Sequence, residues 1–231
     1  MRKIIMCFAI CLALISCETT YQSTTYQVTT YYQIYQIKPI SEDIKVYENT
    51  MVYEDDNCTI MYDFWGEYGN IGFTIYNKNS EELYLHLDKC FYINNGAAYD
   101  YYKYNDMMVE RKTICVPSKS IKRIEEAEST TINIVLYQNC DLNYKGFVKV
   151  NNSVSFNQYD SPYVFSNKLA YSTGDSEEIH RIKNEFYVSK ITNFSSDDIT
   201  TYVDIFDCVS RERKSISVIK EEGPDKFYIK Y

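Results

Sequence analysis

Cys58-Thr59-Ile60-Met61-Tyr62-Asp63-Phe64-Trp65 alternates two sets of side chains, and Cys58, Ile60, Tyr62 and Phe64 form the more apolar set. A period of two is the mark of a half-buried β-strand. A turn through Gly66 to Asn70 follows, and Ile71, Phe73 and Ile75 then mark a second strand that stops at Asn77-Lys78-Asn79-Ser80. Leu83, Leu85 and Leu87 alternate in a third. Phe91-Tyr92-Ile93-Asn94 next meets Asn95-Gly96, and the chain returns through Ala97 to Tyr102. An Asn-Gly pair between β-rich flanks is a strong hairpin signal, because both turn positions need positive φ.

Further strands are expected at 113–116, 120–124, 130–137, 147–150, 163–165 and 200–206, and the alternation at Tyr32, Ile34 and Gln36 suggests a first strand there. One short helix is expected within 177–190, where Ile179, Ile182 and Phe186 fall at helical spacing and Asp175 or Ser176 offers a cap. The part at 184–195 reads equally well as a strand. Short turns between strands, with no long helical period, predict a mainly β chain with at most one or two short helices. The expected architecture is a single β-sandwich-like domain, of which the immunoglobulin-like arrangement is one form, covering residues 32–231.

The chain carries a net charge of −8 and has no basic cluster free of neighbouring acids. That balance argues against nucleic acid, whose phosphates need concentrated Lys and Arg, and against electrostatic docking on anionic lipid. Twenty-five tyrosines stand against one tryptophan and seven glycines. Tyrosine suits half-exposed sheet faces, where the ring packs and the hydroxyl stays wet, and the same chemistry serves sugar-contacting surfaces.

At the N-terminus, Arg2-Lys3 precede a mostly apolar run from Ile4 to Ile15, then Ser16 and Cys17. This order is that of a secretory signal peptide, and the run is shorter than the roughly 20 apolar residues that span a bilayer. Leu14-Ile15-Ser16-Cys17 resembles a bacterial lipobox, in which the cysteine is acylated and becomes the mature N-terminus. Residues 1–16 are thus expected to be removed, and Cys17 is expected to hold the chain to a membrane. Each buried methylene of such an anchor contributes about 0.8 kcal/mol, and several acyl chains together hold firmly. Thr19-Thr20-Tyr21-Gln22, Thr24-Thr25-Tyr26-Gln27 and Thr29-Thr30-Tyr31-Tyr32-Gln33 repeat with a period of five. This uncharged polar stretch suits a spacer over 17–31.

Beyond the leader and Cys17, five cysteines remain: Cys58, Cys90, Cys115, Cys140 and Cys208. An odd number leaves at least one thiol free or paired between chains. A Cys115–Cys140 disulfide is the one expected if a bridge forms, since both residues flank a predicted hairpin. Without a CxxC and with only His86 and His180, no metal site is expected.

The chemistry of catalysis is sparse. A serine or cysteine nucleophile normally needs a His base, and His86 lies opposite the leucines of its strand while His180 sits in an acidic stretch. Paired acids such as Glu81-Glu82 and Glu221-Glu222 are neighbours in turns, not carboxyls facing across a cleft. Glu54-Asp55-Asp56-Asn57 has hard oxygens for calcium but lacks the spacing of an EF-hand loop. No phosphate-binding loop or dinucleotide fingerprint appears, so no cofactor is expected. What remains is aromatic. Trp65 and Tyr68 flank a Gly-bearing turn, and Tyr99, Tyr101, Tyr102 and Tyr104 crowd the returning hairpin strand, either as sheet packing or as ligand contacts.

Asp56-Asn57-Cys58 through Trp65 and Phe91 to Tyr102 resemble a group of uncharacterised lipoproteins of Bacteroidetes-type bacteria. Ile114-Cys115-Val116-Pro117, Asn139-Cys140-Asp141, Ser161-Pro162-Tyr163-Val164-Phe165 through Tyr171-Ser172, and Gly223-Pro224 to Tyr228 extend the resemblance over nearly the whole mature chain. It differs at 103–114, where such chains often carry a longer insertion. The resemblance implies an envelope lipoprotein, read here as one of the outer membrane, and no known activity. Surface lipoproteins of such bacteria often carry an acidic run after the lipid cysteine. Here Glu18 stands alone, which favours the periplasmic face. A partner envelope protein or a glycan is the expected ligand class.

Overall fold

A computed structural model describes residues 29–101, 113–125, 131, 132 and 134–231. Cys17, most of the spacer, Tyr102 and Tyr104 lie outside them. In chain order the strands are β1 (Tyr31–Pro39), β2 (Ile44–Tyr47), β3 (Thr50–Glu54), β4 (Cys58–Tyr62), β5 (Phe73–Asn77) and β6 (Leu83–His86). Next come β7 (Phe91–Asn94), β8 (Ala97–Asp100), β9 (Thr113–Val116), β10 (Ile121–Ile124), β11 (Asn143–Tyr144) and β12 (Phe147–Val148). The last six are β13 (Ser153–Ser155), β14 (Val164–Thr173), β15 (His180–Ser195), β16 (Thr200–Asp207), β17 (Glu212–Ile219) and β18 (Lys226–Lys230). One α-helical turn, α1 (Ser196–Ile199), separates β15 from β16.

Two antiparallel sheets share one core, as a β-sandwich-like domain requires. The larger has nine strands, ordered β18-β1-β15-β14-β6-β9, with β13 on β15 and the β7–β8 hairpin on β14. The smaller runs β10-β5-β4-β3-β2. Ile60, Tyr62, Phe73 and Ile75 from the smaller sheet meet Leu83, Leu85, Phe165, Leu169, Phe186 and Val188 from the larger. Phe64 and Phe186 approach edge-on at 5.0 Å, and Phe165 stacks on Phe186 at 5.4 Å. Such ring pairs add about 0.5–1.5 kcal/mol each beyond the area they bury.

The opening octapeptide behaves as its alternation dictates: β4 buries every second residue, and Phe64 continues the buried face past its end. Asn95 and Gly96 take φ of 45° and 87°, the paired positive values of a tight hairpin, with Asn94 opposite Ala97.

Two expectations are corrected. The helix expected within 177–190 is absent, because that stretch runs into the sixteen-residue strand β15. Ile182 and Phe186 are four apart, a spacing that serves a strand's period of two as well as a helix. The intervening Asn184 is buried too, which only the strand explains. At Gln36/Ile37 the β1–β15 register shifts, leaving Ser189 as the extra residue, so burial in β15 moves from even positions to odd ones. Residues 130–137, expected as a strand, hold none among those described; Ile132 and Ile134 are nevertheless buried. This stretch is held outside any ladder, by side chains and by the Ile132 amide, which donates to the Tyr68 carbonyl at 3.0 Å. Tyr92 Oη and Asn94 Nδ2 both donate to the Ile132 carbonyl, at 3.1 and 2.7 Å. The Tyr137 amide donates to Gln33 Oε1 at 2.8 Å. Gln33 in turn donates to Asn193 Oδ1 at 3.0 Å and accepts from the Tyr35 hydroxyl, a network wholly inside the fold.

Candidate functional site

The turn after β4 places Trp65, alone of the sequence-predicted aromatics among the described residues, at the edge of a cleft. The Trp65 amide donates to Asp63 Oδ1 at 3.1 Å, and the Phe64 amide donates to the Pro224 carbonyl at 2.9 Å. The Tyr68 amide donates to the Tyr228 carbonyl, and the Tyr228 amide to that of Gly66, so the turn is stitched to β18. Gly69 lets the same turn pack against Ile132. Its φ is +77°, and a Cβ there would lie 2.4 Å from Ile132 Cδ1. The half-buried indole of Trp65 rests 5.2 Å from the Tyr228 ring. Its free side borders a cleft of about 330 Å³, with Thr50, Met61, Asp63, Thr74 and Glu222 around it. An apolar ring edged by carboxylates can stack on a sugar and accept hydrogen bonds from its hydroxyls.

The remaining aromatics do not join Trp65. Tyr68 is exposed on the turn itself. Tyr99 is half-buried and leans on Tyr92 at 6.1 Å. Tyr101 is a core residue with no exposure, its hydroxyl 3.0 Å from the Ile71 carbonyl and 2.8 Å from Asn167 Oδ1. Burial holds its phenol well above the ordinary tyrosine value. As a ligand contact Tyr101 is therefore corrected to a structural residue, and Tyr102 lies outside the described residues.

Neither histidine assembles a catalytic group. His86 Nε2 lies 3.0 Å from Ser172 Oγ, a cross-strand contact between β6 and β14 that the sequence did not announce. Burial lowers the His86 pKa, with the Lys89 charge adding to it. Among the described residues no carboxylate contacts the other ring nitrogen, so the orienting third member of a triad is missing. His180 stacks on Tyr171 at 5.0 Å. The Tyr171 hydroxyl donates to Asp55 Oδ2 at 2.8 Å, and the amides of Asn57 and Cys58 donate to Oδ1. Asp55 is thus spent on closing its own loop, which is what the acidic run at 54–57 does.

Cys115 and Cys140 are separate exposed thiols. Cys115 sits in β9 opposite Tyr84, whereas Cys140 lies in the turn before β11, so they do not flank one hairpin. Cys58 and Cys90 are buried, and burial pushes the Cys90 thiol up to about 12. Both are unreactive core atoms. Comparison of the chain with protein-family models, with curated proteins and with solved structures gives no match.

Proposed function

We propose that the chain is a lipid-anchored envelope lipoprotein of the outer membrane with a non-catalytic binding or structural role. The observation that carries this reading is the register of Arg2-Lys3, the apolar run from Ile4 to Ile15, Ser16 and Cys17. The fold is compatible with a tether. The chain enters the domain at β1, an inner strand paired with β15 on one side and β18 on the other. A pull on the N-terminus therefore loads hydrogen bonds on both edges of that strand. The proposed orientation is towards the periplasm. Impermeant protease added to intact cells is expected to leave the domain whole, and to digest it once the outer membrane is opened. Digestion on intact cells would place the domain on the cell surface.

The Trp65 cleft favours a second reading, a carbohydrate-binding accessory lipoprotein. The indole beside Asp63 and Glu222 supports it. It predicts glycan binding that Trp65→Ala abolishes while the melting temperature stays within a few degrees. Unfolding of that variant, or unchanged binding, would reduce Trp65 to a packing residue on Tyr228.

A further inference from the structure

Lys168 in β14 stands directly opposite Lys183 in β15, and Phe91 of β7 faces Lys168 from the other side. Like charges facing each other across an antiparallel pair are destabilising. Arg181 lies two residues from Lys183 on the same outward face, and Lys89 precedes β7. The four cations and the Phe91 ring line one cleft of about 400 Å³. It runs on into a neighbouring hollow shared by Lys168 and Lys183, where Asn95, Ser166 and Glu185 add polar groups. The floor is low because the outward-facing neighbours of Lys168 on β14, Ser166 and Ala170, are small.

Only one of the four cations is neutralised: Lys183 Nζ lies 2.7 Å from Glu185 Oε1. Among the described residues, Lys89, Lys168 and Arg181 have no ion-pair partner. Four cations against Glu185 give the lining of the two hollows a charge of +3 in a chain whose net charge is −8. Asp100 shares this face, opposite Phe91 on β8 and two strands away from Lys168. A phosphate monoester carries about −1.5 to −2 charges near neutral pH, so two of them match the cleft. Its volume lies within the range that takes a small organic ligand, and Phe91 offers that ligand's uncharged body an apolar wall.

We propose that the outer face of β14–β15 binds a sugar bearing two phosphate groups, either free or as the headgroup of a glycolipid. Lys168 and Lys183 hold one phosphate between them and relieve their mutual repulsion. Arg181 offers its planar fork to the other, and Lys89 closes the rim. The proposal is independent of the anchor, since a Cys17→Ser chain retains the whole cleft.

The test is calorimetric titration of the full chain in detergent with glucose 1,6-bisphosphate, with glucose as the uncharged control. A parallel titration uses a bisphosphorylated disaccharide glycolipid dispersed in the same detergent. Saturable binding that weakens as salt is raised is expected for at least one of the two charged probes, and none for glucose. Whichever probe binds identifies the source. Lys168→Gln and Arg181→Gln are each expected to weaken binding about tenfold or more. Lys168→Gln is also expected to hold or raise the melting temperature, because it removes a like-charge pair. Binding lost with stability kept separates recognition from folding, and Lys168→Arg should retain most of the affinity. Two results would overturn the proposal: no binding of either charged probe at millimolar concentration, or equal binding by wild type and the Lys168→Gln/Arg181→Gln double variant.

Discussion

Two hairpins, β14–β15 and β16–β17, lie next to each other in the chain and both carry large apolar residues, yet they end in opposite surroundings. β14–β15 lies inside the larger sheet, with β6 and β7 beside β14 and β1 and β13 beside β15. Its inward residues, Phe165, Leu169, Ile182 and Phe186, lose nearly all contact with solvent. β16–β17 is a two-stranded sheet of its own, and Tyr202 and Phe206 remain 75% and 61% exposed. Its root alone is held: Ile199 packs with Tyr32 and Ile34, and Ile219 leans on the same cluster. An isolated two-stranded ribbon is marginal in water. Apolar side chains on a hairpin do not by themselves make a core; neighbouring strands and a second sheet do.

The sharpest way to break this contrast is a pair of matched truncations. Phe186→Ala is expected to cost about 3–5 kcal/mol in denaturant unfolding. Phe206→Ala should stay within about 0.5 kcal/mol, as an exposed substitution does. A similar cost for both would mean that the ribbon is covered in solution.

Glycines extend the comparison at a smaller scale. Gly69 and Gly146 both have positive φ, but a Cβ on Gly69 collides with Ile132, whereas one on Gly146, in the peripheral β11–β12 turn, meets nothing within 4 Å. Gly146→Ala should cost about 1–2 kcal/mol from the left-handed backbone alone. Gly69→Ala should cost more than that in the same unfolding experiment, and equal costs would show that Ile132 moves aside freely.

The smallest effect belongs to the ribbon's tip. Lys214 donates to Asp207 at 2.6 Å, and the amides of Ser210 and Val209 add to it, taking the Asp207 pKa down to about 2. A carboxyl with a depressed folded pKa contributes stability above its ordinary pKa and loses it as pH falls through the folded one. The window here is therefore from just below pH 4 down to about 2, and full exposure keeps the effect on global unfolding slight. Carboxyl NMR should find Asp207 titrating near the bottom of that window, and Lys214→Ala should move it back towards 3.8. A wild-type value already near 3.8 would show that the tip is unstructured in solution.

Much of the fold was legible because alternation is local. β4, β5, β6 and the Asn95-Gly96 hairpin follow from residues that decide their own conformation. β15 was ambiguous because four is a multiple of two, and only the partner strands β14 and β1 resolve it. The segment around Ile132 and Ile134 failed for another reason. Its backbone partners include the side chains of Tyr92, Asn94 and Gln33, 38 to 104 positions away, and the Tyr68 carbonyl, which no local pattern announces.

The candidate sites were less legible still. Trp65 was singled out and does border a cleft, but Tyr101, two positions from Tyr99, turned inward to hydrogen-bond with Asn167. The cationic face passed unnoticed because Lys89, Lys168, Arg181 and Lys183 are scattered in sequence and meet only through strand register.

The proposed lipid anchor depends on Cys17. Its most direct test is intact mass and N-terminal peptide analysis of the protein recovered from the cell envelope. A chain that begins at Cys17, lacks residues 1–16 and carries the added mass of a glyceride and fatty acids on that cysteine is predicted, with no such mass in a Cys17→Ser chain. A chain still starting at Met1, or one cut elsewhere with Cys17 as a free thiol, would contradict it.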